Sequence, residues 1–197
     1  MAHENTAAHL SQARCDDGQG FQGGSITNCE QFQGENKKYL PKTTFSTRHT
    51  LFSGPDQIDL YYFGRGHTDG DTFVVFTAAR TVHTGDMFAR KGLPYLDVAN
   101  TNGSAIEFGS TLRKAVATIK DVDTVIPGHN DYPLTWGDLV HYSGFYNDVL
   151  TKAQEGSADG LSVEEVVESY TKPGRYREYQ APSNRLQGIV QHIFNGV

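Results

Sequence analysis

The 197-residue chain is short of several residue types that would place it in a specialised class. It has two cysteines, Cys15 and Cys29, too few for a disulfide scaffold and not spaced as a Cys-x-x-Cys metal or redox pair. A bridge between them would close a loop rich in Gly and Gln and would suit an oxidising compartment; the sequence leaves both that pairing and the compartment open. No apolar run approaches the roughly 20 residues needed to cross a bilayer. The opening MAHENTAAHL has no apolar signal core, so neither a membrane span nor an export signal is expected. Positive charge is scarce as well. Lys and Arg number 17 against 23 Asp and Glu, a formal charge of −6, and no basic block is dense enough to follow a phosphate backbone, so nucleic acid is not an expected partner.

What remains is a hydrophobic fraction of 37% over a length that suits one ordinary domain, taken here as residues 1–197. Residues 5–14 predict a short helix capped by Asn5 or Thr6. The following CDDGQGFQGGSITNCEQFQGENKK has Gly, Gln and Asn in place of any apolar period and reads as a long loop. From Thr43 the pattern turns to strand: TTFSTRHTLF, a SGPD turn at 53–56, then QIDLYYFG with Ile58, Leu60 and Tyr62 alternating, together a hairpin. TFVVF at 72–76 and ARTVHT at 79–84 predict two more strands, the first apolar enough for a sheet covered on both faces.

Residues 104–120 set Ile106, Leu112, Val116 and Ile119 on one helical stripe, and DTVIP follows as a short buried strand. Thr135 caps a helix expected to end at Gly156. Two further helices, LSVEEVVESY and APSNRLQGIVQHIFNGV, have Ser162 and Ser183 as expected caps, and Tyr142, Phe145 and Tyr146 form a core stripe. Strands first, then helices interleaved with a strand, predict a layered α/β domain.

Three phrases carry chemistry. GRGHTDGDTFVVF at 64–76, TVHTGDMF at 81–88 and DTVIPGHND at 123–131 each place a metal-ligating residue, His67, Asp86 and His129, beside a glycine where an apolar run ends. Turns at strand ends hold ligands rigidly, as a hydrolytic metal site requires. Asp71 and Thr68 are read as orienting neighbours. Period-two alternation turns His83 away from the face shared by residues 82, 84 and 86. His3, His9, His49, His141 and His192 have no partner at metal spacing. The plainer alternatives are a strand-terminating role for Asp86, its carboxylate accepting backbone N–H bonds, and a helix-capping role for His129.

G-H-T-x-G-D, T-G-D-x-F and P-G-H, in that order and spacing, resemble successive motifs of the metallo-β-lactamase-fold hydrolases, and AHENT at 2–6 resembles the strand after their first metal motif. The resemblance implies an αββα sandwich. It implies zinc as cofactor, with His67 on one ion, Asp86 bridging two, and His129 on the second. It also implies that Asp86 helps to position a zinc-bound hydroxide for attack on an ester, amide, thioester or phosphoester of a small-molecule substrate. The family's H-x-H-x-D-H cluster has no counterpart in the sequence, so the expected fold is incomplete at its N-terminus. The ligand set is half of the full one and matches at most one weakly held ion. Two histidines and a carboxylate are nonetheless a sensible three-ligand set. The segments 20–38 and 89–103 are the expected rim of the site. The competing expectation is a truncated, non-catalytic module that self-associates as a homodimer through the face left by the missing sheet.

Overall fold

The computed structural model describes residues 1–12 and 32–197. Cys15, Cys29 and most of the loop expected over 15–38 lie outside the described residues. Two compact units divide the chain, Met1–Thr47 and Arg48–Val197.

In the first unit, β1 (Ala2–His3) pairs in parallel with β2 (Thr44–Phe45). Helix α1 (Glu4–Gln12) starts earlier than the Asn5 or Thr6 cap would allow. The reason is His3, whose Nδ1 accepts the N–H of Asn5 at 3.3 Å while Nε2 lies 2.8 Å from the Ser46 carbonyl oxygen. Residues Gly34–Tyr39, expected in the loop, wind into a 3₁₀ helix.

The second unit holds a six-stranded sheet in chain order: β3 (Arg48–Leu51), β4 (Ile58–Tyr61), β5 (Phe73–Phe76), β6 (Thr81–Gly85), β7 (Thr124–Pro127) and β8 (Leu134–Thr135). β3 to β6 form an antiparallel meander, β6 and β7 run parallel, and β8 turns back against β7. A parallel pair needs a crossover, supplied here by α2 (Val98–Thr101) and α3 (Ala105–Thr118). The expected hairpin and the four strands of the meander are all present. The sheet is not covered equally on both faces, however. Phe73, Val75, Val82 and Val125 are buried in the core, while Val74, Phe76 and Thr81 on the other face are only partly buried and Ile126 is 39% exposed. This is strand alternation, with one face packed on helices.

Three longer helices supply that packing: α3, α4 (Trp136–Ala158) and α6 (Ser183–Phe194), with the short α5 (Val163–Ser169) against α4 and α6. The buried side of α3 is Ala105, Phe108, Leu112 and Ala115. Ile106 and Val116, expected on the buried stripe, only border the core. Small residues set this rotation, because a Cβ at Gly109 would come within 2.5 Å of the Asn147 side chain on α4. Phe88 stacks on Tyr142 at 4.4 Å and Phe108 meets Tyr146 at 4.5 Å, pairs worth about 0.5–1.5 kcal/mol each beyond their burial. Tyr146 keeps its buried hydroxyl satisfied by donating to the Ala105 carbonyl at 2.7 Å.

Caps at Thr135 and Ser162 are as expected, each in a reciprocal box with Asp138 or Glu165 three residues on. Two other boundaries differ. Helix α4 passes through Gly156 and stops at Ala158, before Gly160 at φ +76°. Gly156 serves packing instead, since a Cβ there would lie 2.3 Å from Val166 on α5. Ser183 is the first residue of α6, preceded by Pro182, and makes no capping bond.

Gly156→Val is therefore expected to destabilise the fold by about 1–3 kcal/mol through overpacking, read as a lower denaturation midpoint with an unchanged slope. A second expectation concerns Asp138. Burial pushes its carboxyl up, but ion pairing with Lys91 at 2.7 Å and bonds from Thr135 outweigh it and hold the group below 3.8. A lowered folded-state pKa gives stability that is present above the unfolded value and lost as pH falls through the folded one. Asp138→Asn should thus be less stable than wild type at neutral pH, with the difference shrinking below about pH 3.8 in pH-dependent urea melts.

Candidate metal centre

Strand directions decide where the three ligand-bearing turns go. β6 and β7 are parallel neighbours, so Asp86 after β6 and His129 after β7 leave the sheet at the same edge. β5 is antiparallel to β6, with Val74 opposite His83, so the turn entering β5, which carries His67, opens at that edge too. Ligand sites commonly lie outside the carboxyl ends of parallel strands. All three sequence-predicted residues are brought together.

Asp86 is the centre of the group. Its Oδ2 lies 3.5 Å from His67 Nε2 and its Oδ1 lies 3.2 Å from His129 Nε2. Gly85, at φ +51°, turns the chain out of β6 into a single 3₁₀ turn that begins with Asp86. Thr84, fully buried, ties that exit to β7 by bonding the Ile126 carbonyl at 3.3 Å. No backbone N–H donates to the Asp86 carboxylate among the described residues, so the strand-terminator role is not what occupies it. His129 caps no helix, since that task falls to Thr135.

The His129 turn is bound directly to the Asp86 turn. Gly128 N–H donates to the Gly85 carbonyl at 3.0 Å and His129 N–H to the Ala89 carbonyl at 2.9 Å. Gly128 has to be glycine here, because a Cβ would stand 2.2 Å from Asp86 Oδ1 and 2.8 Å from Gly85 backbone. His67 is held as firmly from its own side. Its carbonyl accepts Asp97 N–H at 2.9 Å, and neighbouring Gly66 accepts Ser104 N–H at 2.9 Å. A Cβ on Gly66 would run into Met87.

Asp71, expected to orient a neighbouring ligand, stands beside His67. It lies 3.5 Å from His67 Nδ1 and accepts from Thr68 N–H at 2.8 Å and Thr68 Oγ1 at 3.0 Å. With Nδ1 facing Asp71, Nε2 is left to face Asp86, the arrangement by which carboxylates orient ligand imidazoles. Burial favours the neutral imidazole, yet the Asp71 hydrogen bond and the charges of Asp71, Asp86 and Asp97 outweigh it and raise the His67 pKa above 6.5. His83 points away from this group, as alternation predicts, and its Nδ1 accepts Gly85 N–H at 3.2 Å.

Ligands about 2.0–2.1 Å from a tetrahedral zinc lie about 3.3 Å apart, so both His–Asp pairs have ligand spacing. The two imidazoles meet different oxygens of the carboxylate. Accordingly, among the described residues no three His, Cys, Asp or Glu donors surround a single point. The nitrogen and carboxylate donors and both separations are of the kind metal ligands have, and taking up one ion would need the His67 and His129 rings to turn toward a common point beside Asp86.

Sequence reasoning missed two neighbours. Tyr95 lies 6.1 Å from His67, ring centre to ring centre, and Arg185 on α6 sits over Tyr95 at 5.4 Å. Tyr95 falls within the expected rim segment 89–103, but no local signal links it to Arg185, 90 positions further along the chain.

No family model matches the chain, and no curated protein does. Solved structures do. The inverting sec-alkylsulfatase Pisa1 from Pseudomonas sp. is similar over 77% of this chain and 26% of its own, with 17% identity and a TM-score of 0.60. The DIM-1 metallo-β-lactamase matches 58% of this chain and 51% of its own at 24% identity and a TM-score of 0.47. A metallo-β-lactamase from Pontibacter korlensis matches at 22% identity and a TM-score of 0.46. The chain thus spans about half the length of those lactamases and about a quarter of the sulfatase.

Replacing Asp71 with Asn should let burial prevail and lower the His67 pKa. Histidine ring signals followed by NMR through a pH titration of metal-free protein check this, and an unmoved midpoint would show that Asp71 does not govern the ring. With 17% identity and a TM-score of 0.60, the likeness to the alkylsulfatase is one of fold, and the chain has the metallo-β-lactamase fold.

Proposed function

We propose that this chain is a metal-dependent hydrolase in which His67, Asp86 and His129 hold a divalent cation, zinc by the chemistry of the donors. The observation that carries the reading is the Asp86 carboxylate set between two imidazole Nε2 atoms, 3.5 and 3.2 Å away, with the far nitrogen of one engaged by Asp71. Zinc bound there would supply the positive charge that polarises a carbonyl or phosphoryl oxygen and acidifies water.

The chain's own residues divide the remaining work. Asp86 accepts a hydrogen bond from the attacking water and orients it toward the substrate. Asp71 keeps the His67 ring in the orientation that aims Nε2 at Asp86. His67 and Asp86 are mostly shielded while the His129 side chain is 60% exposed, so substrate approaches from the His129 side. The reaction class is hydrolysis of an ester, amide, thioester or phosphoester.

Elemental analysis after zinc loading and dialysis should find close to one zinc per chain, lost in His67→Ala and in His129→Ala while both variants keep the wild-type melt. A wild-type chain that retains no zinc would overturn the assignment. A second reading is a self-associating module, and the partly exposed Val74, Phe76 and Ile126 on the sheet face opposite the helices favour it. It requires a homodimer in light scattering, whereas a monomer with a cooperative melt removes it.

A further inference from the structure

A second feature borders the candidate metal centre and has no part in holding the cation. The 94–96 segment and α6 flank an open groove of about 240 Å³, lined by Tyr95, Leu96, Arg185, Gly188, Ile189 and His192 among others. A cavity of roughly 150 Å³ accommodates a benzene ring, so the groove has room for a small organic group. Tyr95 belongs both to the groove and to the surroundings of His67, the two rings being 6.1 Å apart. Tyr95 is thus the residue by which the groove borders the surroundings of His67.

Its charge is unusual for an acidic chain. No lining residue is acidic. Arg185 is half-buried, stacked on the Tyr95 ring at 5.4 Å, and has no carboxylate partner among the described residues. Of the other half-buried cations, Lys91 is neutralised by Asp138 and Glu178 and Arg65 by Glu107, while Lys172 donates to the Arg177 and Tyr179 carbonyls. Stacking on an aromatic face fixes the plane of a guanidinium and leaves its N–H fork free, which suits bidentate capture of an oxyanion. His192 stands two helical turns along α6 on the same side, a second nitrogen donor at the groove wall. Gly188 lies between them. It interrupts an otherwise ordinary helix, yet a Cβ there would touch nothing within 4 Å. No packing contact asks for glycine at 188, and its effect is to keep the groove floor low.

We infer that Arg185, stacked on Tyr95, is a specificity-determining residue that binds an oxyanion, a carboxylate or its sulfonate or phosphate equivalent, on the part of the substrate that is not cleaved. The inference rests on the proposed hydrolytic site for its meaning, since it names the class of substrate that site would take: a small, anionic, partly apolar ester or amide. The oxyanion seats on Arg185, apolar atoms lie along Tyr95 and Ile189, and the scissile bond reaches the His67 side of Tyr95.

The test has a binding arm and a rate arm. In the first, titration calorimetry compares phenylacetate with uncharged phenylacetamide on wild type, Arg185→Gln, Arg185→Lys, Gly188→Leu and His67→Ala. Phenylacetate should bind wild type at least about tenfold more tightly than the amide, the worth of one charge-assisted hydrogen bond. That preference should vanish in Arg185→Gln, return in part in Arg185→Lys, weaken in Gly188→Leu and persist in His67→Ala. In the second arm, zinc-loaded protein is given 4-nitrophenyl hemisuccinate and 4-nitrophenyl butyrate. Arg185→Gln should raise KM about tenfold for the charged ester, leaving its kcat and both constants for the neutral ester in place. Loss of phenylacetate binding in His67→Ala but not in Arg185→Gln, or equal losses for charged and neutral probes, would overturn the inference. If neither ester is hydrolysed the hydrolase reading fails, and the binding arm still decides the role of Arg185.

Discussion

The parallel pairing of β6 with β7 is the constraint on which the site depends. Parallel neighbours finish at the same edge, and here their exits are fastened by the Gly128 N–H to Gly85 carbonyl bond, with no space for a side chain at 128. Asp86 and His129 are thereby delivered to each other by backbone, before any side-chain rotamer is chosen. The antiparallel register of β5 on β6 brings the His67 turn to the same place. Three residues spread over 63 positions converge because strand order leaves them nowhere else to emerge.

Rigidity around this edge comes from different sources on its two sides. The His67 turn is clamped by backbone bonds to the 97–104 region and by Met87 packed against Gly66. The Asp86 turn is stiffened from below by the aromatic layer, where Phe88, only two residues on, is fully buried and stacked on Tyr142 of α4. His67 is the more buried of the two imidazoles and His129 the more exposed.

Much of this was legible in the residues. Glycines at the ends of apolar runs placed His67, Asp86 and His129 in turns, and alternation along TVHTG set His83 aside correctly. Capping boxes at Thr135 and Ser162 were visible because the pairing residue stands three positions away. What stayed hidden was set by contacts distant in the chain. The buried stripe of α3 is rotated by close approach of α4 at Gly109, and Gly156 reads as a helix end until Val166 is seen pressing on it. β5 is apolar on both sides, but only tertiary packing tells which side is covered. The nearness of Tyr95 to Arg185 has no local signature at all.

The topology also orders the assembly of the chain. β3 to β6 close through short connections, so the meander brings His67 and Asp86 within reach of each other at small entropic cost. His129 joins only when the long crossover through α2 and α3 has docked and β7 has found β6. The same crossover clamps the His67 turn through Asp97, Thr101 and Ser104, so its fraying would loosen both imidazoles and leave only Asp86 held by the meander. Two of the three side chains thus take their final positions only once that connection is in place.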